Sequence, residues 1–288
     1  MSKEMQKEMA ALTNNIADQV LARIEELKGT GALESPKNYS VSNAIQAAKL
    51  MLLRAKTGKS TGYKPVLDHC TQDSVAKSLL DMVVQGLSVA KSQGYFIAYG
   101  NEVSFQRSYF GTIAVLKRLH NISEIKTEVV HEGETFEISV DESGNKSVNH
   151  GIKFECLDAP FVGAYCTIFY SDGTKYTEIM TKKMIVTAWG QSKAYPVDKD
   201  GNIKTDSVHG KFTQEMVKKT VLNRAAKLAI NTSDDSDLLS LAINDSTATE
   251  YEHTDPIEVG IIPQKETPKK QIEKQPTQDT IEEPGFEG

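Results

Sequence analysis

The feature that most constrains the fold is a change of hydrophobic period within residues 94–118, GYFIAYGNEVSFQRSYFGTIAVLKR. Tyr95–Tyr99 and Glu102–Phe105 flank Gly100-Asn101, and a Gly/Asn pair can adopt the positive φ that a two-residue hairpin turn requires. Beyond this predicted hairpin, apolar residues recur at three- and four-residue steps, which predicts a helix over about 108–119. The chain must therefore combine antiparallel strands with helices.

Helical patterns lie on both sides of a strand-rich middle. The first 28 residues form an apolar stripe that predicts an amphipathic helix ending at Gly29, and this stripe needs a partner in the same body or in a neighbouring subunit. Further helices are predicted over Ser42–Lys56, Asp73–Gln85, Lys182–Gln191, Thr213–Ile230 and, as a short one, Asp235–Ile243. Strands are predicted over Ile122–Val130, Thr135–Val140, Val162–Tyr170 and Lys175–Met180, most simply as a meander-like antiparallel sheet.

Charge divides the chain into two parts. Residues 1–232 carry 29 Lys/Arg and 25 Asp/Glu, or +4, whereas residues 233–288 carry 4 Lys and 14 Asp/Glu, or −10. The last part is also rich in Pro, Gln and Thr, a composition that cannot bury enough apolar surface to fold. We expect an α+β fold with a small antiparallel sheet and hairpins packed with long helices. Its regions are an N-terminal helix at 1–30 that could supply an oligomer contact, a core domain at 31–245 and a disordered acidic tail at 246–288.

Cysteine usage and hydropathy bear on location. Cys70, Cys156 and Cys166 are odd in number and irregularly spaced, which fits neither a disulfide framework nor a CxxC metal clamp. The N-terminus lacks the apolar core of a signal peptide, and no run approaches the roughly 20 apolar residues that cross a bilayer. We therefore expect a cytoplasmic protein.

Three short motifs suggest ligands, and a structural role is the simpler interpretation of each. Thr57–Thr61 resembles the end of a phosphate-binding P-loop, yet Leu53 occupies the position of the first glycine. Asp198–Asn202 lacks the third ligand and the final glutamate of an EF-hand, which favours a turn. Asp68-His69-Cys70 is the densest group of potential metal ligands, and a structural role is the simpler interpretation. No metal or catalytic site is predicted.

The better candidate for a functional surface is cationic and aromatic. Residues 94–118 interleave aromatic rings with Arg107, Lys117 and Arg118, a combination that suits single-stranded nucleic acid, although the simpler interpretation places most of these rings in the core. On a helical wheel, Lys219, Asn223, Arg224 and Lys227 of helix 213–230 lie opposite Val217, Val221, Ala225, Leu228 and Ala229. No acidic residue lies between Met216 and Ile230, so we expect these cations to be available to a polyanion. Ser192, Lys193, His209 and Lys211 would extend this surface, and Trp189 could be either buried or a stacking platform.

Three segments together resemble the RecT family of phage single-strand annealing proteins. They are residues 85–118, 176–193 and 209–239, and Gln106–Gly111 is the most specific element. The resemblance covers roughly residues 35–240. It implies an ATP-independent recombinase, not an enzyme with covalent chemistry, that coats single-stranded DNA, forms oligomeric rings or helical filaments and pairs the bound strand with its complement. It also implies a phage exonuclease as partner, no required cofactor and Mg²⁺ as a candidate modulator, and the acidic tail is a candidate contact for a host single-strand-binding protein.

Carried over by position, the resemblance implies a DNA-binding surface made of basic, aromatic and amide side chains. These are Gln106, Arg107, Tyr109, Lys117, Arg118, Lys182, Lys193, Lys211, Lys219, Arg224 and Lys227, with Lys218 at the edge of the apolar arc. Two alternatives remain open. Asp141, Glu142, Asp234 and Asp235 could hold Mg²⁺ in a nuclease. A non-catalytic host-interaction module would instead depend on the tail.

Overall fold

The computed structural model describes residues 3–118, 121–192, 194–232, 239–244 and 246 as an α+β fold, the class predicted. The helices are α1 (Lys3–Gly29), α2 (Val41–Leu52), α3 (Val66–His69), α4 (Gln72–Val84), α5 (Tyr109–Leu116), α6 (Lys182–Gly190), α7 (Val208–Lys211) and α8 (Thr213–Asn231). The strands are β1 (Gly94–Tyr99), β2 (Glu102–Arg107), β3 (Ile122–His131), β4 (Thr135–Val140), β5 (Lys146–Gly151), β6 (Phe161–Tyr170) and β7 (Lys175–Thr181). Within the described residues, no helix combines the length and the apolar character needed to span a membrane.

The stripe of α1 is buried against the body of the same chain. Ile16, Val20 and Ile24 belong to the main core, and α1 packs on α2, α3 and α4. The next two helices begin at polar caps, because Ser40 Oγ accepts from the Asn43 N–H and Thr71 Oγ1 from the Ser74 N–H, both at 3.3 Å. Helix α2 ends earlier than predicted, since its last turn tightens before the chain enters the Lys56–Pro65 bridge.

The β1–β2 hairpin has the predicted register. Tyr99 pairs with Glu102, so Gly100-Asn101 forms the two-residue turn, and Gly100 has a φ of 61°. Phe96 and Phe105 are buried with ring centroids 5.7 Å apart. The hairpin packs on α4, where Ser78 Oγ donates to the Val103 carbonyl at 2.8 Å.

The single meander that the sequence suggested is wrong. The strands form a β3-β6-β7 sheet and separate β1–β2 and β4–β5 hairpins, all antiparallel. The β4–β5 hairpin is inserted in the sequence between β3 and β6, and these two strands pair directly with each other. Strand β5 was not predicted, because Lys146–Gly151 is mostly polar and lacks the apolar alternation of a half-buried strand.

Helix α8 packs on the three-stranded sheet and on α5. Val217, Val221 and Ala225 are buried as predicted, but two positions of the wheel are wrong. Asn223 is buried and accepts a hydrogen bond from Thr112 Oγ1 at 2.7 Å, whereas Leu228 is 46% exposed. Because α8 packs on α5 as well as on the sheet, part of the face that was expected to be exposed is buried.

The described part of the chain ends at residue 246, where the predicted tail begins. Residues 239–244 are helical, in agreement with the short helix predicted near the end of the core. Ser246 is buried and its hydroxyl donates to the Ile243 carbonyl at 2.8 Å. Residue 246 is therefore part of the folded body, and the remainder of the predicted tail, 247–288, lies outside the described residues.

Candidate nucleic-acid interface

Arg107, the centre of the most specific motif, lies in the interior. Its side chain is 2% exposed, and Nη1 donates to Gln85 Oε1 at 2.9 Å and to Ser246 Oγ at 3.1 Å. Nη1 also reaches the Ile243 carbonyl at 3.2 Å, and Nε reaches Thr112 Oγ1 at 3.3 Å. Because the guanidinium is enclosed by these acceptors, the expectation that Arg107 sits on an open surface is corrected.

The other residues of the Gln106–Gly111 motif also have structural roles. Ser108 Oγ caps α5 by accepting from the Gly111 N–H at 3.1 Å. Gly111 is required because a Cβ there would collide with the carbonyl oxygen of Gln93. Gln106 is buried, and its Nε2 donates to Tyr99 Oη at 2.7 Å. The motif thus fixes the junction between β2 and α5.

Three further residues of this segment differ in exposure. Arg118 is half-buried and donates from Nη1 to the Gln85 carbonyl at the end of α4 and from Nε to the Ala114 carbonyl at 3.0 Å. Lys117 is exposed at the end of α5. Tyr109 is half-buried and lies edge-on to the exposed Phe110 ring at 5.9 Å. Of the predicted contacts in 106–118, Lys117 and Tyr109 are the ones a ligand can reach most readily.

Helices α6 and α8 form a cleft of about 650 Å³ that brings two predicted cations together. Its lining comprises Lys183, Met184, Thr187, Ala188, Gln191, Arg224 and Lys227. Arg224 and Lys227 were predicted, and Lys183 was missed although it forms a doublet with Lys182. No carboxylate lies among these lining residues, so the cleft suits an anion.

Arg224 is held at the cleft by the sheet. Its Nε lies 3.0 Å from Glu178 Oε1, and the hydroxyl of Tyr176 donates to Glu178 Oε2 at 2.6 Å. Burial and the hydrogen bond to Glu178 both raise the pKa of Tyr176, so its hydroxyl stays protonated. The Arg224 side chain nevertheless remains 47% exposed.

These contacts correct the expectation that the cations of α8 have no acidic partners. The missing carboxylates come from neighbouring strands, because Glu178 meets Arg224 and Glu128 Oε2 lies 2.9 Å from Lys218 Nζ. Lys219 and Lys227 are half-buried on the same helix.

The remaining predicted residues lie around this helix pair. Lys182 is exposed at the start of α6, with Nζ 5.5 Å from the centre of the Phe161 ring, and Lys211 is exposed at the end of α7. Lys193 lies outside the described residues. Trp189 is buried, and its Nε1 donates to Thr220 Oγ1 at 2.8 Å. His209 packs against the Trp189 ring at 4.7 Å, so both belong to the interior, as does the buried Ser192.

A second groove, of about 510 Å³, lies between the β4–β5 hairpin and the three-stranded sheet. Its lining combines lysines, aromatic rings, threonines and a few other side chains: Tyr109, Ile125, Lys126, Thr127, Glu128, Val148, Tyr165, Thr167, Phe169, Lys175, Thr177 and Lys218. Lys126 Nζ lies 5.5 Å from the centre of the Phe169 ring. Sequence reasoning missed Lys126 and Lys175, although both lie in predicted strands with exposed faces.

The base of this hairpin is closed around a buried carboxylate. Glu134 Oε2 accepts from the His131 N–H at 2.7 Å and lies 3.0 Å from His150 Nε2, while Oε1 accepts from the Lys153 N–H at 3.3 Å. Burial opposes ionisation of Glu134, but these hydrogen bonds outweigh it and lower its pKa to about 2. Glu134 therefore joins both ends of the hairpin as a carboxylate.

The motifs that suggested other ligands form local structure. Asp198 Oδ1 accepts from the N–H groups of Asp200 and Asn202 at 2.9 and 2.8 Å, which confirms a turn. Lys59–Thr61 is a 3₁₀ turn, and Thr57 Oγ1 accepts from the Lys64 N–H at 2.9 Å. Among the described residues, no group of three or more His, Cys, Asp or Glu side chains is arranged to hold a metal ion.

Fold and interface together define an α+β protein that presents cations from two helices beside a small antiparallel sheet. The chain belongs to the RecT family, whose model matches residues 47–275. It is also 29% identical over 175 residues to Protein RecT of Escherichia coli (strain K12), an alignment that covers 57% of this chain and 60% of that protein. The chain thus matches about three fifths of the length of that relative. The family match begins within α2 and continues beyond residue 240, where the resemblance was expected to end.

Proposed function

We infer that this protein binds single-stranded DNA and anneals complementary strands without ATP, in phage-type homologous recombination. Membership of the RecT family carries this proposal, and the α6–α8 cleft supports it. Lys183, Arg224 and Lys227 offer cations to a polyanion in a place that lacks lining carboxylates. Tyr109, Lys117, Lys182, Lys211 and Lys219 remain candidate contacts outside the lining of this cleft.

The chemistry of the cleft suits backbone binding better than base reading. Lysine and arginine attract phosphates without regard to sequence, so the bases of the bound strand can remain open to a complement. Glu178 orients the guanidinium of Arg224 before DNA arrives, which lowers the entropy lost on binding. Affinity should therefore vary little with base sequence.

Independence of ATP is supported by the local structure at the P-loop-like segment. Leu53 replaces the first glycine, and Thr57–Thr61 follows a helix and a turn, whereas a P-loop follows a strand. Thr57 Oγ1 is already engaged by the Lys64 N–H. We propose that no nucleotide cofactor is needed and that Mg²⁺ acts only as a modulator.

The proposal extends to partners. A homo-oligomeric ring or helical filament would place successive clefts along one strand, and a phage exonuclease would supply the single-stranded substrate. Residues 247–288, which are strongly acidic, would contact a host single-strand-binding protein. These partners follow from the family resemblance.

The nuclease alternative gains no support from the described residues. Asp141 accepts hydrogen bonds from the N–H groups of Ser143 and Asn145 at 3.0 and 2.8 Å, and its other oxygen accepts from Asn145 Nδ2 at 3.0 Å. This carboxylate therefore closes the β4–β5 turn. Asp234 and Asp235 lie outside the described residues.

The decisive experiment mixes the purified protein with two complementary oligonucleotides at low salt and without ATP. Fluorescence energy transfer between labels on the two strands should rise faster than in a protein-free control. A labelled strand incubated with Mg²⁺ should remain intact. No acceleration would refute annealing, and degradation would instead support the nuclease.

A further inference from the structure

The lining of the α6–α8 cleft combines cations with apolar surface. Lys183 of α6 and Arg224 and Lys227 of α8 supply the positive charge. Met184 and Ala188 of α6 belong to the same lining, and Met184 is 36% exposed. A phosphate backbone engages only the charges, whereas a peptide that mixes carboxylates with apolar side chains engages both kinds of surface. The chemistry of the cleft therefore also fits an acidic peptide.

The described chain comes back to α8 beside this cleft. Asn244 Nδ2 donates to Asn231 Oδ1 at 3.2 Å. Arg224, Lys227 and Asn231 follow one another at three- and four-residue steps, so they share one face of the helix. Asn231 lies about 6 Å along α8 from Lys227, because each residue of an α-helix rises about 1.5 Å. Asn244 thus meets α8 on the face that lines the cleft, two residues before Ser246, where the description of the chain ends.

The sequence that follows has the complementary chemistry. Residues 247–264 contain four carboxylates and neither lysine nor arginine, whereas all four lysines of 247–288 lie between residues 265 and 274. We call residues 250–259, EYEHTDPIEV, the acidic run. Its carboxylates are Glu250, Glu252, Asp255 and Glu258, and its apolar and aromatic side chains are Tyr251, Ile257 and Val259. Ten residues of extended chain span up to about 33 Å, so the acidic run can reach the cleft.

We propose that the acidic run binds the α6–α8 cleft of its own chain and competes there with single-stranded DNA. Its carboxylates pair with Lys183, Arg224 and Lys227, and its apolar side chains cover Met184. The competition rests on the proposed binding of DNA by this cleft, whereas the docking of the run does not.

The tether makes a weak contact sufficient. A short connection gives the acidic run an effective concentration on the order of millimolar at the cleft. Exposed ion pairs are individually weak, so the run is easily displaced. A long polyanion that releases its counterions displaces it, whereas a short or loosely held strand does not. The acidic run therefore sets a threshold for occupation of the cleft by DNA.

Photocrosslinking tests the docking without DNA. The full chain carries p-benzoylphenylalanine in place of Tyr251, and irradiation should join it to peptides from Lys182–Gly190 and Thr213–Asn231 within one chain. Lys183→Gln/Lys227→Gln should lower the yield by about threefold or more, because the attraction is electrostatic. The matched control, Lys56→Gln/Lys59→Gln, removes the same charge from exposed positions outside the cleft and should keep the wild-type yield.

Two results of this experiment overturn the docking. An unchanged yield in the Lys183/Lys227 variant, or crosslinks confined to other elements, shows that the cleft does not hold the run. Crosslinked dimers on a denaturing gel, with no crosslink within one chain, show that the run binds a second copy instead.

Strand binding tests the competition. One variant replaces the carboxylates of the acidic run with amides: Glu250→Gln, Glu252→Gln, Asp255→Asn and Glu258→Gln. The control removes the same charge farther along the chain: Asp279→Asn, Glu282→Gln, Glu283→Gln and Glu287→Gln. By fluorescence anisotropy, the first variant should bind a labelled oligonucleotide about threefold or more tightly than the wild type at low salt, with a smaller gain at high salt. The control should match the wild type.

The outcomes separate this proposal from the proposed function. Equal tightening in both variants would show general repulsion by the negative charge of 247–288 and overturn the competition, as would unchanged affinity in the first variant. A wild type that binds no strand overturns the proposed function and with it the competition, while the crosslinks still decide whether the acidic run docks.

Discussion

Arg224 of α8 and Glu178 of β7 form an ion pair, with Nε 3.0 Å from Oε1, at the edge of the cationic cleft. The carboxylate is held in turn by the Tyr176 hydroxyl at 2.6 Å. This relationship has two consequences for a polyanion. Glu178 aims the guanidinium, but its negative charge also competes with a phosphate for it.

Glu178→Gln should therefore tighten binding of single-stranded DNA. The amide removes the competing charge yet keeps a hydrogen-bonding oxygen near Arg224, so we expect affinity to rise about two- to fivefold at low salt and less at high salt. Fluorescence anisotropy with a labelled oligonucleotide measures this change. Glu155→Gln, at an exposed position outside the cleft, is the matched control. Weaker binding by Glu178→Gln would mean that orientation of Arg224 matters more than charge competition.

Lys227→Ala and Arg107→Ala should behave differently. Lys227 lines the cleft, so its loss should weaken binding and reduce the salt slope by about 0.7. Arg107 is buried, so its loss should leave the slope unchanged and cost about 2–3 kcal/mol of unfolding free energy, because Gln85 and the Ile243 carbonyl lose a donor. Urea denaturation and salt titration of both variants separate the two effects. A reduced slope for a folded Arg107→Ala protein would return this residue to the DNA surface.

Lys227 and Arg107 illustrate what could and what could not be predicted from the sequence. The register of the β1–β2 hairpin follows from Gly100-Asn101, because turn chemistry is local. The orientation of Arg107 is not local, since its partners Gln85 and Ser246 lie 22 and 139 residues away. The pairing of Lys218 with Glu128 was not predicted for the same reason, since the two residues are 90 positions apart.

The candidate site was predictable to a similar extent. Periodicity placed Arg224 and Lys227 on one helix, and both line the cleft. Periodicity could not reveal that Asn223 is buried against Thr112 of α5 or that Phe136 of the β4–β5 hairpin packs on Tyr165 of the sheet, because both contacts depend on tertiary packing. Charge pattern within a helix likewise says nothing about carboxylates that approach from a sheet.

Truncation should separate the folded end of the chain from the acidic segment. Removing 247–288 keeps Ser246 and the Ile243 carbonyl as acceptors for Arg107, so the melting temperature should change little. Removing 239–288 deletes both acceptors and should lower it by several degrees. Differential scanning fluorimetry compares the two proteins with the full chain. Equal melting temperatures of the two truncations would show that the Arg107 contacts at residues 243 and 246 contribute nothing to stability. A large fall in melting temperature after removal of 247–288 alone would contradict the prediction that this segment is dispensable for folding.

Glu134 should make the hairpin base sensitive to acid. The pKa of its carboxyl group is about 2 in the folded protein, below the ordinary 4.5, so the ionised form contributes stability that is fully present above about pH 4.5 and is lost as pH falls toward 2. Glu134→Gln cannot ionise, so it should be less stable than the wild type at pH 5, and the difference should shrink on acidification. Urea denaturation at pH 5, 4 and 3 measures the two unfolding free energies. Glu137→Gln, on the exposed side of the same hairpin, should follow the wild type. A difference between wild type and Glu134→Gln that stays constant from pH 5 to 3 would show that the carboxylate acts through shape and not through its charge.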